Sequence, residues 1–195
     1  MAEEFVLSSH GYWVGTNFDD EHMFDPNLAT AIQNFLPAGS SVIDLGCGMG
    51  NYVKHLRDAG FDCHGVDGNP NTPELTDNLC TQADLARPIE SNQIFDWVIS
   101  LEVAEHIPAK YERIYLENLH KLNRHGIILS WGLPGQTGLG HVNCRDNEYV
   151  KLRLAAMGYE ELNEVSMTMR AQSTLEWFKH TVMVFKRIPT DDLEA

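Results

Sequence analysis

Apolar and polar positions follow two rhythms along this chain. Leu28, Ile32, Phe35 and Leu36 recur at helical spacing. Asp25-Pro26 opens that helix as an acidic N-cap with proline at the first helical position, and Pro37-Ala38-Gly39 ends it. Ser41–Leu45 is a short apolar run with β-branched residues and predicts a buried strand. A tight turn from Gly46 to Gly50 leads into a helix over Asn51–Ala59, closed by Gly60. Further strands are predicted at Phe61–Val66, ending at Asp67, at Leu79–Ala83 before Asp84, and at Ile94–Leu101. Lys110–Leu122 reads as a helix whose inner face carries Tyr111, Ile114, Tyr115, Leu119 and Leu122. A fifth strand over Gly126–Trp131 precedes a glycine-rich loop at 132–140, then a helix over Asp146–Met157 that Gly158 stops. Val165–Met169 and Thr181–Lys186 read as the last two strands.

Strands alternating with helices predict an α/β fold, Rossmann-like and doubly wound, with a mostly parallel seven-stranded sheet. Two strands in succession at the end predict an antiparallel C-terminal hairpin. The chain divides into an arm or lid at 1–24, one domain at 25–188 and a tail at 189–195. The arm holds Tyr12, Trp13, Phe18, His22 and Phe24, and so many large aromatic side chains are costly to leave in water.

Composition narrows the partners. The 195 residues suffice for one domain with a substantial core. Twenty-eight acidic against 14 basic side chains give a formal charge of −14, which repels phosphate backbones and argues against nucleic acid. No run of apolar residues is long enough for a membrane span, and the acidic start does not resemble a secretory signal. Cys47, Cys63, Cys80 and Cys144 have no zinc-ligand or CxxC spacing, so the expectation is four reduced thiols in a cytoplasmic protein.

The candidate chemistry starts at Val42-Ile43-Asp44-Leu45-Gly46-Cys47-Gly48-Met49-Gly50. A strand feeds a turn with glycine at every second position, and a helix follows. Glycine admits positive φ and close approach of a ligand, and the helix N-terminus offers free N–H groups. The second strand ends at Asp67, about twenty residues on, where an acid is placed to accept two ribose hydroxyls. Beyond strand four, Glu102, Glu105 and His106 are spaced i, i+3 and i+4, and on a helical turn they would share one face. His141, after strand five, is positioned to reach the same cleft. Two carboxylates and two imidazoles suit a divalent ion.

Over roughly residues 25–187 these motifs resemble class I S-adenosylmethionine-dependent methyltransferases, closest to the small-molecule, ubiquinone-biosynthesis-like branch. The resemblance implies S-adenosylmethionine as cofactor. It implies that the glycines of the turn, Gly46 and Gly48, pass under its methionine part, that Asp67 holds its ribose, and that Asp44, Cys47 and Gly68 are cofactor-binding too. Asp84, with Leu85 alongside, would contact the adenine amino group. Leu101 would line the methyl-transfer cleft. The aromatic content of the arm, rather than the resemblance, makes it read as a lid whose Tyr12 and Trp13 cover the cofactor. Some members of the family bind a metal through an ExxEH arrangement, and others carry it without one. The preferred reading is metal-free, with His106 or His141 as base or acceptor contact; a divalent metal is the alternative.

The acceptor expected is an O or N nucleophile of a small molecule. Ser100-Leu101-Glu102-Val103 stands where an Asn/Asp-Pro-Pro-Tyr/Phe motif would mark adenine, cytosine or glutamine-amide acceptors. A protein or peptide acceptor, a non-catalytic cofactor-binding partner of another methyltransferase, and an NAD-dependent oxidoreductase are the other readings. The GxGxG spacing and its DLGCG context disfavour the last.

Overall fold

The computed structural model describes residues 6–16 and 22–189. Phe18 of the arm, the first five residues and 190–195 of the tail lie outside them. A two-stranded antiparallel ribbon, β1 (Val6–Leu7) with β2 (Trp13–Val14), precedes the main sheet. That sheet comprises β3 (Ser41–Leu45), β4 (Asp62–Asp67), β5 (Thr81–Gln82), β6 (Phe95–Ser100), β7 (Asn123–Leu129), β8 (Tyr159–Glu161) and β9 (Met183–Arg187). Its seven strands run in the order β5-β4-β3-β6-β7-β9-β8. β5 to β7 are parallel; β9 runs antiparallel between β7 and β8.

Successive strand residues feed two apolar layers, as the period of two requires. Ile43, Leu45, Val98, Ile127 and Leu129 face one, covered by α4 (Glu112–Lys121) and α5 (Asn147–Ala155) through Tyr115, Leu119, Val150 and Leu154. Val42, Ile99, Ile128 and Val184 face the other, covered by α1 (Pro26–Phe35) and α2 (Asn51–Asp58) through Leu28, Ile32, Val53 and Leu56. Short α3 (Thr72–Leu75) follows β4. No helix among the described residues is long and apolar enough to cross a membrane.

The C-terminal third needs one correction. Val165–Met169 is not a strand; it lies in α6 (Asn163–Gln172). Val165, Met167 and Met169 alternate as a strand would, but Met167 is exposed while Ser166 and Met169 are buried, which is helical spacing. The last two strands, β8 and β9, are antiparallel as expected, but α6 and α7 (Phe178–Thr181) lie between them in place of a direct hairpin turn. Ser166 Oγ accepts from the Val184 N–H at 2.9 Å, tying α6 to the sheet.

Asp25 is fully buried and does more than cap α1. Its Oδ1 accepts from the Asn27 and Leu28 N–H groups at 3.0 Å, and its Oδ2 from Thr174 and Leu175 at 2.6 and 3.0 Å. Burial pushes this carboxyl up, but the N–H groups of Leu175, Leu28 and Thr174 outweigh it and hold the pKa below the usual aspartate range. A carboxyl whose pKa is depressed on folding stabilises above its unfolded pKa, and that contribution is lost as pH falls through the folded pKa. Asp25→Ala should therefore cost about 2–4 kcal/mol at pH 7, from a lost cap and two charge-assisted bonds. Urea denaturation should show the gap to wild type closing towards pH 3.

Candidate active site

The carboxyl ends of β3, β4 and β6 open into a cavity of about 370 Å³. Gly46 and Cys47 both donate to the Val66 carbonyl, at 2.8 and 3.1 Å, which folds the glycine turn onto β4. Gly46, Gly48 and Gly50 have φ of 87°, 51° and 72°. A side chain on Gly46 would meet Val103 at 2.4 Å. Asp67, at the end of β4, accepts from Gly48 N–H at 3.0 Å through Oδ2 and from Asn69 N–H at 2.9 Å through Oδ1. A carboxylate offers about four acceptor positions, so two remain. Asp44 lies buried beneath the turn, its pKa pushed well above the ordinary value by burial, then by Cys80 and Asp67.

The arm forms the opposite wall. Tyr12 packs so closely on Gly68 that a Cβ there would lie 2.4 Å from the tyrosine. The side-chain amides of Asn69 and Asn71 donate to the Gly15 carbonyl at 2.9 and 3.1 Å. Trp13 stacks on His22 at 5.3 Å and meets His106 edge-on at 5.4 Å. Asp84, just past β5, accepts from its own loop at Ala86 N–H and from His10 Nδ1 at 2.6 Å.

At the other end, His106 and His141 stand edge to face at 4.8 Å. His141 Nδ1 lies 3.2 Å from the Gln136 carbonyl, so Nδ1 carries the proton and Nε2 is left as the acceptor. Burial, then the charges of His141 and His22, hold the His106 pKa at about 4. Residues 101–108 form successive turns rather than a helix, with His106 and Ile107 N–H bonded to Val103 and Ala104. Glu102, at φ +52°, accepts from Gln136 Nε2 at 2.5 Å and from Thr181 Oγ1 at 3.2 Å. It therefore braces the 132–145 loop and α7. Glu105 is the carboxyl that meets the imidazoles: ligand atoms of Glu105, His106 and His141 all lie within 4.8 Å of one another. Glu105 is fully buried, and neither of its oxygens makes a hydrogen bond of good geometry with a described residue. Burial, then the Glu102 charge, push its pKa well above the ordinary value.

Every residue the sequence nominated for the cofactor lines this one cavity: Asp44, Gly46, Cys47 and Gly48 on the turn, Asp67 and Gly68 after it, Asp84, Leu85 and Leu101 beyond, and Tyr12 and Trp13 from the arm. His106 and His141 line it too. Sequence reasoning missed His10, Gln136, Trp177 and Phe178. The one available signal was the Trp-Phe pair ahead of the last strand; the others are polar residues in loops.

The profile of a family described as a methyltransferase domain matches residues 20–130. The chain belongs to the class I S-adenosylmethionine-dependent methyltransferases. A ubiquinone biosynthesis O-methyltransferase of Ralstonia nicotianae is 28% identical to this chain over a 118-residue alignment that covers 54% of this chain and 50% of that protein. The match thus spans half the length of that relative. The fold resembles magnesium protoporphyrin IX methyltransferase from Synechocystis PCC 6803, solved with bound SAH, at a TM-score of 0.61 and 19% identity over 82% of this chain and 79% of that one. It resembles a TehB-like SAM-dependent methyltransferase from Corynebacterium glutamicum at a TM-score of 0.62 and 17% identity, over 84% and 88%.

The wall of the cavity suits a cofactor that carries a sulfonium and an ammonium. Asp44, Asp67, Asp84 and Glu102 line it, and none of the described residues lining it is a lysine or arginine. Gly48 leaves open the space where a side chain would press on the cavity, since a Cβ there would reach 3.0 Å from the His22 ring. Gly48→Val should weaken S-adenosylhomocysteine binding at least tenfold, by filling that space and by straining a backbone at positive φ. The loss of the ligand-induced rise in melting temperature checks this; a full rise would place the cofactor elsewhere.

Proposed function

We propose that this methyltransferase transfers the methyl group of S-adenosylmethionine to an oxygen or nitrogen nucleophile of a small molecule. One observation carries the reading: a single cavity joins the glycine turn and Asp67 at one end to His106 and His141 at the other. Asp67 and Gly68 hold the ribose, Asp84 and Leu85 the adenine, and Asp44, Gly46, Cys47, Gly48 and Leu101 line the methionine end. Residues 25–188 form the catalytic domain, and the arm is its lid, with Tyr12 and Trp13 excluding water. When bound, the cofactor supplies an already activated methyl electrophile, so the protein's task is alignment of the acceptor and exclusion of water. An acceptor hydroxyl must also lose its proton, and His141 or His106 takes it.

A second reading of the acceptor end rests on Glu105. A fully buried carboxyl whose oxygens make no hydrogen bond of good geometry with a described residue, beside two imidazoles, is a donor set that suits a divalent ion. Glu105, His106 and His141 would hold the ion, which would supply a Lewis acid to an acceptor hydroxyl. The low pKa of His106 favours this reading, because it keeps the imidazole neutral for coordination and makes it a weak base.

The test is methyl transfer from labelled S-adenosylmethionine to panels of phenols, amines and peptides. Labelling of a small phenol or amine is expected. Labelling of peptides alone would replace the small-molecule reading, and tight cofactor binding with no transfer to any acceptor would make the protein a non-catalytic partner.

A further inference from the structure

The tip of the arm is a self-bonded turn that presents one histidine. Ser8 N–H donates to the Tyr12 carbonyl at 2.9 Å, Gly11 N–H to the Ser8 carbonyl at 3.0 Å, and His10 N–H to Ser8 Oγ at 3.0 Å. His10 Nδ1 then lies 2.6 Å from Asp84 Oδ2, with the two side chains only 19% and 15% exposed. The His10 ring is held edge-on against Tyr111 at 4.8 Å. Arg87 Nε shares the same oxygen at 3.2 Å, but from a side chain 72% exposed. Asp84 Oδ1 accepts from Ala86 N–H, which leaves that oxygen one lone pair for a further donor.

The next residues carry the arm along the cleft. Gly11, at φ +99°, lies backbone to backbone on the 103–107 turn; a Cβ there would sit 2.0 Å from the His106 carbonyl oxygen. Tyr12 covers Gly68, and Trp13 reaches the His106 ring. One short segment therefore touches both ends of the cavity.

We propose that His10 is the latch of this arm. By gripping Asp84 it fastens the arm over the adenosine end of the cofactor site, and so sets how fast the cofactor leaves while holding Trp13 against the acceptor end. The proposal rests on the reading of Asp84 as a cofactor contact. His10 is a positioning residue: it acts through the arm and takes no part in the transfer.

The experiment compares wild type, His10→Ala, His10→Asn and Gly11→Ala. S-adenosylhomocysteine dissociation is followed by stopped-flow fluorescence, and amide exchange of residues 6–14 is measured in the cofactor-free protein. His10→Ala should speed dissociation at least tenfold and raise exchange in the arm. Gly11→Ala should do the same without touching the His10–Asp84 hydrogen bond. His10→Asn, whose amide donates from nearly the position of Nδ1, should return both readouts towards wild type. A wild-type dissociation rate in His10→Ala, or an arm no looser than before, overturns the latch. Failure of the underlying reading looks different: wild-type protein would not bind S-adenosylhomocysteine at all, or Asp84→Asn would bind it with unaltered affinity.

Discussion

Asp67→Ala should weaken S-adenosylhomocysteine binding by about 10²–10⁴-fold and leave the domain folded. Two charge-assisted hydrogen bonds to ribose are lost, each worth about 1.5–3 kcal/mol. The carboxylate also holds the Gly48 N–H, so the glycine turn loses its tie to β4 in the same change. The fold survives because Asp67 ends a strand and belongs to neither apolar layer. Asp67→Asn separates the two parts: it keeps an oxygen for Gly48 and removes the charge, and should fall between wild type and alanine. Isothermal titration gives the affinities, and far-ultraviolet circular dichroism with a melting curve checks the fold. Affinity within threefold of wild type for the alanine variant would remove Asp67 from the cofactor site.

His106→Ala or His141→Ala should lower turnover by about 10²–10⁴-fold without weakening cofactor binding. The two readings of the acceptor end then part over a chelator. With a histidine base, chelator has no effect and Glu105→Gln is far milder than either histidine change. With a divalent ion, chelator abolishes turnover, added magnesium, manganese or zinc restores it, and Glu105→Gln is as damaging as a histidine change. Glu102→Gln should be milder than Glu105→Gln in both cases, because the Glu102 oxygens are engaged by Gln136 and Thr181.

The pH profile adds an independent check. The sequence suggests an imidazole near its ordinary value of ~6.5. Burial, with His141 and His22 beside it, instead holds His106 at about 4. His106 is therefore neutral at neutral pH, and its protonation stops turnover only as pH falls towards 4. A pH–rate inflection that disappears in His141→Ala and persists in His106→Ala would identify His141 as the base. Full activity in both histidine variants, with chelator silent, would leave positioning alone as the mechanism and an amine or thiolate as the acceptor.

That the glycine turn, Asp67 and Asp84 would meet at one cavity was legible in the chain itself, for a local reason. Strand, glycine turn and helix follow within ten residues, and parallel strands with helical crossovers bring the ends after Leu45, Asp67 and Gln82 to one edge of the sheet. Spacing along the sequence therefore translated into position in space. The Asp25 cap was readable too, since its first two bonds reach only two and three residues ahead. Its bonds to Thr174 and Leu175 were not, being about 150 residues away in the chain.

At Val165–Met169 a period of two and a helical period fit the same few residues, and only packing decided between them. With Leu162 and Val165 packed against the second apolar layer and Ser166 bonded to Val184, the helix won. The ExxEH motif shows the same limit at the site. Its spacing suggested one shared face, but the turns at 101–108 send Glu102 to Gln136 and Thr181 and leave Glu105 with the imidazoles. His10 reaches Asp84 across 74 residues. By itself the sequence determined the α/β architecture, the family and which residues gather at the glycine-turn end of the cavity, because short-range spacing and strand direction suffice for these. Tertiary structure alone decided which acid meets His106 and His141, how burial lowers the proton affinity of His106, and where the arm is fastened, because burial and contacts between distant segments exist only once the chain has folded.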